Sequence, residues 1–329
     1  MMKRFSLLLL VLLLCLGAAR AENNSLAIVQ ASTGDRVHLR AEADAEAASR
    51  GLYFTGTPVL LPEGRGQGEW VSVIIGLEKG YIRSDLLVSA DSPVQPRWKQ
   101  AQVAGVNGWL NLRSAPGQKA PVLARLPKGD AVTVLGETAE KWCFVEHGGQ
   151  YGYVMAKFLR VSREDAAVST APLEGLPFPL PMAFTYSSGA GAWSSEMTLL
   201  PDGRFWGYYH DSEMGATGKD HPNGTRYESM FTGTVGGVRQ VGEWEYQLQV
   251  ESLQTFGEVD QRWIEDGVQI ILKDSAGVAP GEVFSLYLPD TPEELLPEDA
   301  RQWRRGYAWT GVIPAVLVGH TSGATWCVE

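Results

Sequence analysis

The side chains best placed to do chemistry lie between His210 and His221, in the run His210-Asp211-Ser212-Glu213-Met214-Gly215-Ala216-Thr217-Gly218-Lys219-Asp220-His221. Zinc sites use two or three His with a carboxylate, and calcium sites gather carboxylate and carbonyl oxygens. His210, Asp211, Glu213 and His221 supply such a set, so a metal site is one expectation for this segment. The segment lacks a His-Glu-x-x-His pattern and the calcium-loop spacing, so a polar, glycine-rich loop between strands is the other reading. Cysteine chemistry fares worse. A peptidase whose nucleophilic Cys precedes its His has no room at Cys327, which only Val328 and Glu329 follow. Cys143 has no basic partner or helix N-terminus nearby to lower its pKa, which makes it a buried small hydrophobe. No Gly-x-Ser-x-Gly elbow occurs, and no two acids stand out as a glycosidase pair. The expected catalytic set is therefore empty, and no cofactor is implied.

These groups must be carried by strands. From Val106 to Val161 the chain reads as short alternating segments about ten residues apart, broken by Pro116-Gly117, Lys128-Gly129-Asp130 and Gly148-Gly149 turns. That is the pattern of a small β-barrel. Successive strand side chains point to opposite faces. Cys143 and Val145 therefore share the inner face, and Trp142 and Phe144 the outer one.

The segment upstream repeats the same landmarks. Val37-His38-Leu39-Arg40 falls against Leu110-Asn111-Leu112-Arg113, Trp70 against Trp142, and Gly80-Tyr81-Ile82 against Gly152-Tyr153-Val154. The offset is 73 residues early and 72 late. About nine residue types kept at a near-constant offset make an internal repeat. The first copy carries Ala41-Glu42-Ala43-Asp44 where the second has Ser114-Ala115-Pro116-Gly117, so its first loop should differ. Each copy is expected to close one compact cylinder of its own, and the binding role drawn below depends on that.

The Asn111-Leu112-Arg113-Ser114 opening, the central Gly129-Asp130, Trp142 and the closing Gly152-Tyr153-Val154 resemble the bacterial SH3-like (SH3b) family. The resemblance implies a binding part of a cell-envelope protein, with peptidoglycan (peptide or glycan) or an envelope protein as partner. Trp142, Phe144, Tyr151 and Tyr153 are then candidates for a shallow aromatic groove, or else a cover for a neighbouring domain. Arg113 matches the family's arginine, with structural bonding to loop carbonyls or ligand contact as its two readings.

The N-terminus agrees with that address. Lys3 and Arg4 precede the apolar run Leu7–Leu16, and Ala19-Arg20-Ala21 offers small residues for cleavage after Ala21. This reads as a secretory signal over residues 1–21. Cys15 would suit lipidation only poorly, because bulky Leu14 precedes it. Cleavage removes three basic residues and no acid, leaving 25 basic and 38 acidic side chains. So acidic a chain is ill suited to nucleic acid or anionic lipid. No later apolar run is long enough to span a membrane.

The expected organisation is a degenerate SH3-like barrel at 22–89, a strong one at 98–162, a proline-rich linker at 163–182 and an antiparallel β-domain at 183–329. The last is read as about eight strands curled into a barrel or sandwich, with a turn at Pro201-Asp202-Gly203 and a short helix near Thr291–Leu296. Gly191-Ala192-Trp193 resembles, weakly, the Gly-x-Trp signature of lipocalin-like barrels. Trp193, Tyr246 and Leu248 would then line a packed core or a ligand cavity. The fold class is thus all-β. The leading function is secreted, non-catalytic envelope binding. The competing readings are a wall hydrolase with a metal site at 210–221, and a scaffold whose modules pack only on their own chain.

Overall fold

The computed structural model describes residues 26–62, 68–90, 92–167, 172–176, 180–187, 193–307 and 314–328. The signal expected at 1–21, Gly191-Ala192 and parts of the proline-rich linker lie outside the described residues.

The protein is almost entirely β, in two sheets. The first half holds two seven-strand sets in the same chain order. One set comprises Leu26–Val29, Arg36–Arg40, Ser49–Phe54, Pro58–Leu60, Trp70–Ile75, Glu78–Arg83 and Leu87–Ser89. The other comprises Lys99–Val103, Trp109–Arg113, Val122–Pro127, Ala131–Thr138, Trp142–His147, Gln150–Met155 and Leu159–Asp165. A 3-10 turn precedes the last strand in both sets, at Ser84–Leu86 and Ala156–Phe158. Strand pairing is also alike in the two sets: first with fourth and seventh, fourth with fifth, fifth with sixth, sixth with second, second with third. Arg113 Nη1 donates to Ala120 O at 2.6 Å, and Arg40 Nη1 donates to Ala47 O at 2.8 Å. Each arginine thus ties down the loop after its own strand.

The expectation of two separate cylinders fails at one seam. Gly51, Leu52 and Tyr53 pair with Thr138, Glu137 and Gly136, so a single sheet runs through both sets. Glycine stands on each side of this seam for a steric reason. A Cβ on Gly136 would lie 2.8 Å from Leu52 O and inside the Tyr53 ring, and one on Gly51 would lie 2.9 Å from Glu137 O. The bond from Thr57 Oγ1 to Leu135 O, 3.0 Å, adds to the seam. The seam is an added pairing at one edge, and every pairing within each set remains.

The second half is a closed ring of eight antiparallel strands. Their order is Arg204–Glu213, Trp193–Leu199, Met182–Ser187, Thr325–Val328, Val316–Gly319, Val283–Tyr287, Glu245–Thr255 and Thr225–Gln240, the last pairing back with the first. The Pro201-Asp202-Gly203 turn forms, with Gly203 at φ +82° and Asp202 Oδ1 accepting from Arg204 N. The barrel is filled rather than hollow. Phe184, Phe205, Phe231, Phe284 and Trp326 are each at most 1% exposed and pack with Leu248 and Tyr246. Trp193 is only half-buried and meets the Tyr186 ring at 4.9 Å. Near Thr291, a 3-10 turn spans Glu293–Leu295, and a helix follows at Glu298–Tyr307.

The strand Thr225–Gln240 pairs with Arg204–Glu213 from its first residue but with Glu245–Thr255 only from Phe231 on, which leaves one edge of its start open. Its first residues, Thr225–Glu228, carry a hairpin of Arg262–Glu265 and Val268–Leu272. The two-residue turn is Asp266-Gly267, with φ of +50° and +75°, the left-handed pair favoured in tight hairpins. The outer wall of the barrel then packs on the two seven-strand sets. Leu200, Trp206, Tyr208, Met230, Phe256 and Leu272 join the same apolar cluster as the cores of both seven-strand sets.

Candidate functional site

The segment divides: His210–Glu213 end a strand, residues 214–221 form the expected polar, glycine-rich connection to the next strand, and alternation takes the candidate ligands apart. His210 and Ser212 face the space between the barrel and the first seven-strand set, whereas Asp211 and Glu213 take the opposite face. His210 Nε2 lies 2.9 Å from Ser194 Oγ, its partner across the strand pair. Glu213 Oε2 accepts from Tyr227 Oη at 3.3 Å. His221 sits in a turn beyond the strand, its ring beside Gly218. Among the described residues, no three His, Cys, Asp or Glu side chains converge on one point where a metal could sit. The metal set expected from spacing is thereby dispersed.

Cys143 is buried in the core of the second seven-strand set, and burial, with Glu137 nearby, pushes its thiol up to about 12. Such a thiol is not a nucleophile at neutral pH. Cys327 lies in a separate small cluster with Leu296 and Ala300, so no bridge joins the two halves.

All four candidate aromatics are buried, Trp142 at 7% exposed under the edge of a groove and the other three enclosed by the rest of the chain. Phe144, Tyr151 and Tyr153 are at most 4% exposed. Tyr153 Oη donates to Ile75 O at 3.1 Å and accepts from Leu77 N at 3.4 Å, so it caps a hairpin of the first set. Its ring lies 5.1 Å from Phe144. Tyr151 meets Trp206 edge-on at 5.0 Å, and Trp206 stacks on Phe256 at 5.9 Å. Gln254 brackets the Tyr151 backbone, accepting from its N at 2.8 Å and donating to its O at 2.6 Å. Burial raises the phenol pKa values of both tyrosines. These side chains join three bodies together, and the open aromatic groove expected from them does not exist.

Three open spaces lie beside candidate side chains among the described residues: a small one of about 200 Å³ next to Tyr151 and Arg204, and two larger ones. One of the larger two is a groove of about 430 Å³ on the second set. Trp109, 52% exposed, forms its rim, and Trp142, Met155 and Phe158 line it. Asn111 and Gln118 add hydrogen-bonding groups, and the Arg113 side chain borders it. Arg125 holds its guanidinium 4.9 Å over the Trp109 ring, which fixes the indole as a flat surface. Of the expected ligand residues, Trp142 and Arg113 are thus at this groove. Trp109 was not singled out from the sequence, although its place one residue before Leu110 on an alternating strand puts it on the outer face.

The other large space is a cleft of about 900 Å³ between the first set and the barrel. Its floor carries Glu228, wholly buried, with Arg226 Nε 2.7 Å from one carboxylate oxygen and Lys79 Nζ 3.1 Å from the other. Lys79 also bonds Glu265 at 2.9 Å. Burial works to raise the Glu265 carboxyl, and the Lys79 bond and charge more than reverse it, leaving a net fall. Burial lowers His210, and the neighbouring Arg226 adds to this, so its imidazole is held neutral.

Residues 108–160 match the protein family described as Bacterial SH3 domain. No curated protein matches the chain. Among the solved structures that resemble it in part are two from Trichomonas vaginalis. NlpC2 is 12% identical, covering 55% of this chain and 87% of its own, with a TM-score of 0.23. NlpC1 is 14% identical, covering 70% and 87%, also at 0.23. Similarity at that level carries no argument about this chain. The family match falls on the seven-strand set that bears the Trp109 groove.

Proposed function

We propose that this is a secreted, non-catalytic cell-envelope protein whose second SH3-like module holds a wall component in the Trp109 groove. The observation that carries the reading is a half-exposed tryptophan, pinned by Arg125, on a groove edged by Asn111 and Gln118, within the segment matched by the bacterial SH3 family. A flat aromatic rim with a few polar groups suits a sugar face or an extended peptide. The first module is a second copy of the same fold that serves as a docking body, since its edge strand is spent on the seam with the second. Because the other aromatics are enclosed, wall recognition in this reading rests on the groove alone.

Sedimentation with purified peptidoglycan tests it. The chain lacking residues 1–21 should pellet with the wall. Trp109→Ala should weaken this at least about tenfold, as removal of an exposed aromatic anchor does, without lowering the melting temperature. Equal pelleting of both proteins would remove the groove from the account.

A further inference from the structure

We propose that the cleft between the first module and the C-terminal barrel is a second binding site, selective for short peptides bearing both a free ammonium and a free carboxylate. Its volume, about 900 Å³, is that of a site for a small molecule or short peptide. The floor is assembled in advance. Lys79 comes from the module and Glu228 from the barrel, and their contact holds the two walls at a fixed separation. A ligand entering such a site has little protein to order, which favours binding.

The charges of the floor cancel one another: Lys79 and Arg226 stand against Glu228 and Glu265. Three charges in the lining are left over. Arg50 and Glu42 belong to the module, and Asp266 to the barrel hairpin. None of the three has an oppositely charged side chain of a described residue within ion-pair distance, although the charge of Arg50 also reaches the largely buried Glu78 and favours its carboxylate. Asp266 is held at the tip of its turn, where Asn223 Nδ2 donates to its carbonyl oxygen at 2.9 Å. A guest with an ammonium and a carboxylate complements these groups. A neutral sugar leaves them unpaired, and a polyanion meets a lining with one more acid than base. Tyr81, Tyr208 and half-exposed Ile264 supply surface for small apolar side chains between the two charged ends. None of these residues belongs to the Trp109 groove, so the two sites stand or fall separately.

Isothermal titration of the full chain with trialanine tests the proposal, because this peptide's only charges are its termini. The free peptide should bind at millimolar concentration or tighter. N-acetylation together with C-amidation should weaken binding at least about tenfold. Arg50→Ala, and Glu42→Gln with Asp266→Asn, should each weaken it by a similar factor, with melting temperatures unchanged because all three side chains are at the open cleft. Trp109→Ala should leave it unaffected. Absence of binding by free trialanine at millimolar concentration would overturn the proposal. So would equal affinity for the capped peptide, or indifference to Arg50→Ala in a folded variant.

Discussion

Glu228 is fully buried and carries two cationic partners from two parts of the chain, one of them across a domain junction. Removing a partner from a buried charge costs more than the pair contributes when whole, because the remaining charge stays desolvated. Lys79→Ala leaves Arg226 in place, so the expected loss is about 2 kcal/mol rather than the full penalty, and urea unfolding measures it. His210, on the same side, gives a pH signature. Its folded pKa is depressed by burial and by Arg226, whereas the unfolded chain takes up a proton near the ordinary value of 6.5. The unfolded state therefore binds more protons below that pH, and stability falls as pH drops from about 6.5 towards the folded pKa, then levels off. Above 6.5 the group contributes nothing to the slope. His210→Gln should flatten the melting temperature between pH 7.5 and 5 relative to the native chain, a range set by the unperturbed imidazole.

At the scale of elements, the seam between the two seven-strand sets depends on glycine. Gly136→Val would drive a side chain into the Tyr53 ring and the Leu52 carbonyl, and overpacking of this kind costs about 2–3 kcal/mol. Thermal melting of the variant checks it. The sequence could not reveal this seam, because glycine inside a strand reads as a bulge or a weak strand until the approaching backbone is known. Alternation did separate Cys143 and Val145 from Trp142 and Phe144. What it could not supply was the identity of the cover, since the outer face of a small barrel in a larger chain faces either water or a neighbour. The turn at Pro201-Asp202-Gly203 was legible because each residue has a local reason to be there. The strand at His210–Glu213 was not. It has no apolar alternation, its outward side chains face a polar cleft, and pairing with Thr225–Glu228 on one side and Trp193-Ser194 on the other makes it a strand.

At the scale of the whole molecule, the barrel's outer wall and the two modules share one apolar cluster. Phe256 sits at the centre of this junction, 6.2 Å from Phe144 and 5.9 Å from Trp206. Phe256→Ala should cost about 3–4 kcal/mol, as large-to-small changes in a packed core do, and should weaken docking rather than the barrel alone. A shared core of this kind sets the Trp109 groove and the cleft at defined positions relative to one another. The aromatic residues that resemble a ligand surface serve that core instead.

Scanning calorimetry of the chain lacking residues 1–21 tests this account most directly. A shared core predicts one endotherm, with calorimetric and van't Hoff enthalpies equal, and the same midpoint read by tryptophan fluorescence and far-ultraviolet dichroism. Two or more resolved endotherms, one of them preserved in a chain ending at residue 167, would contradict the docking of the barrel on this face and return Tyr151 to the solvent.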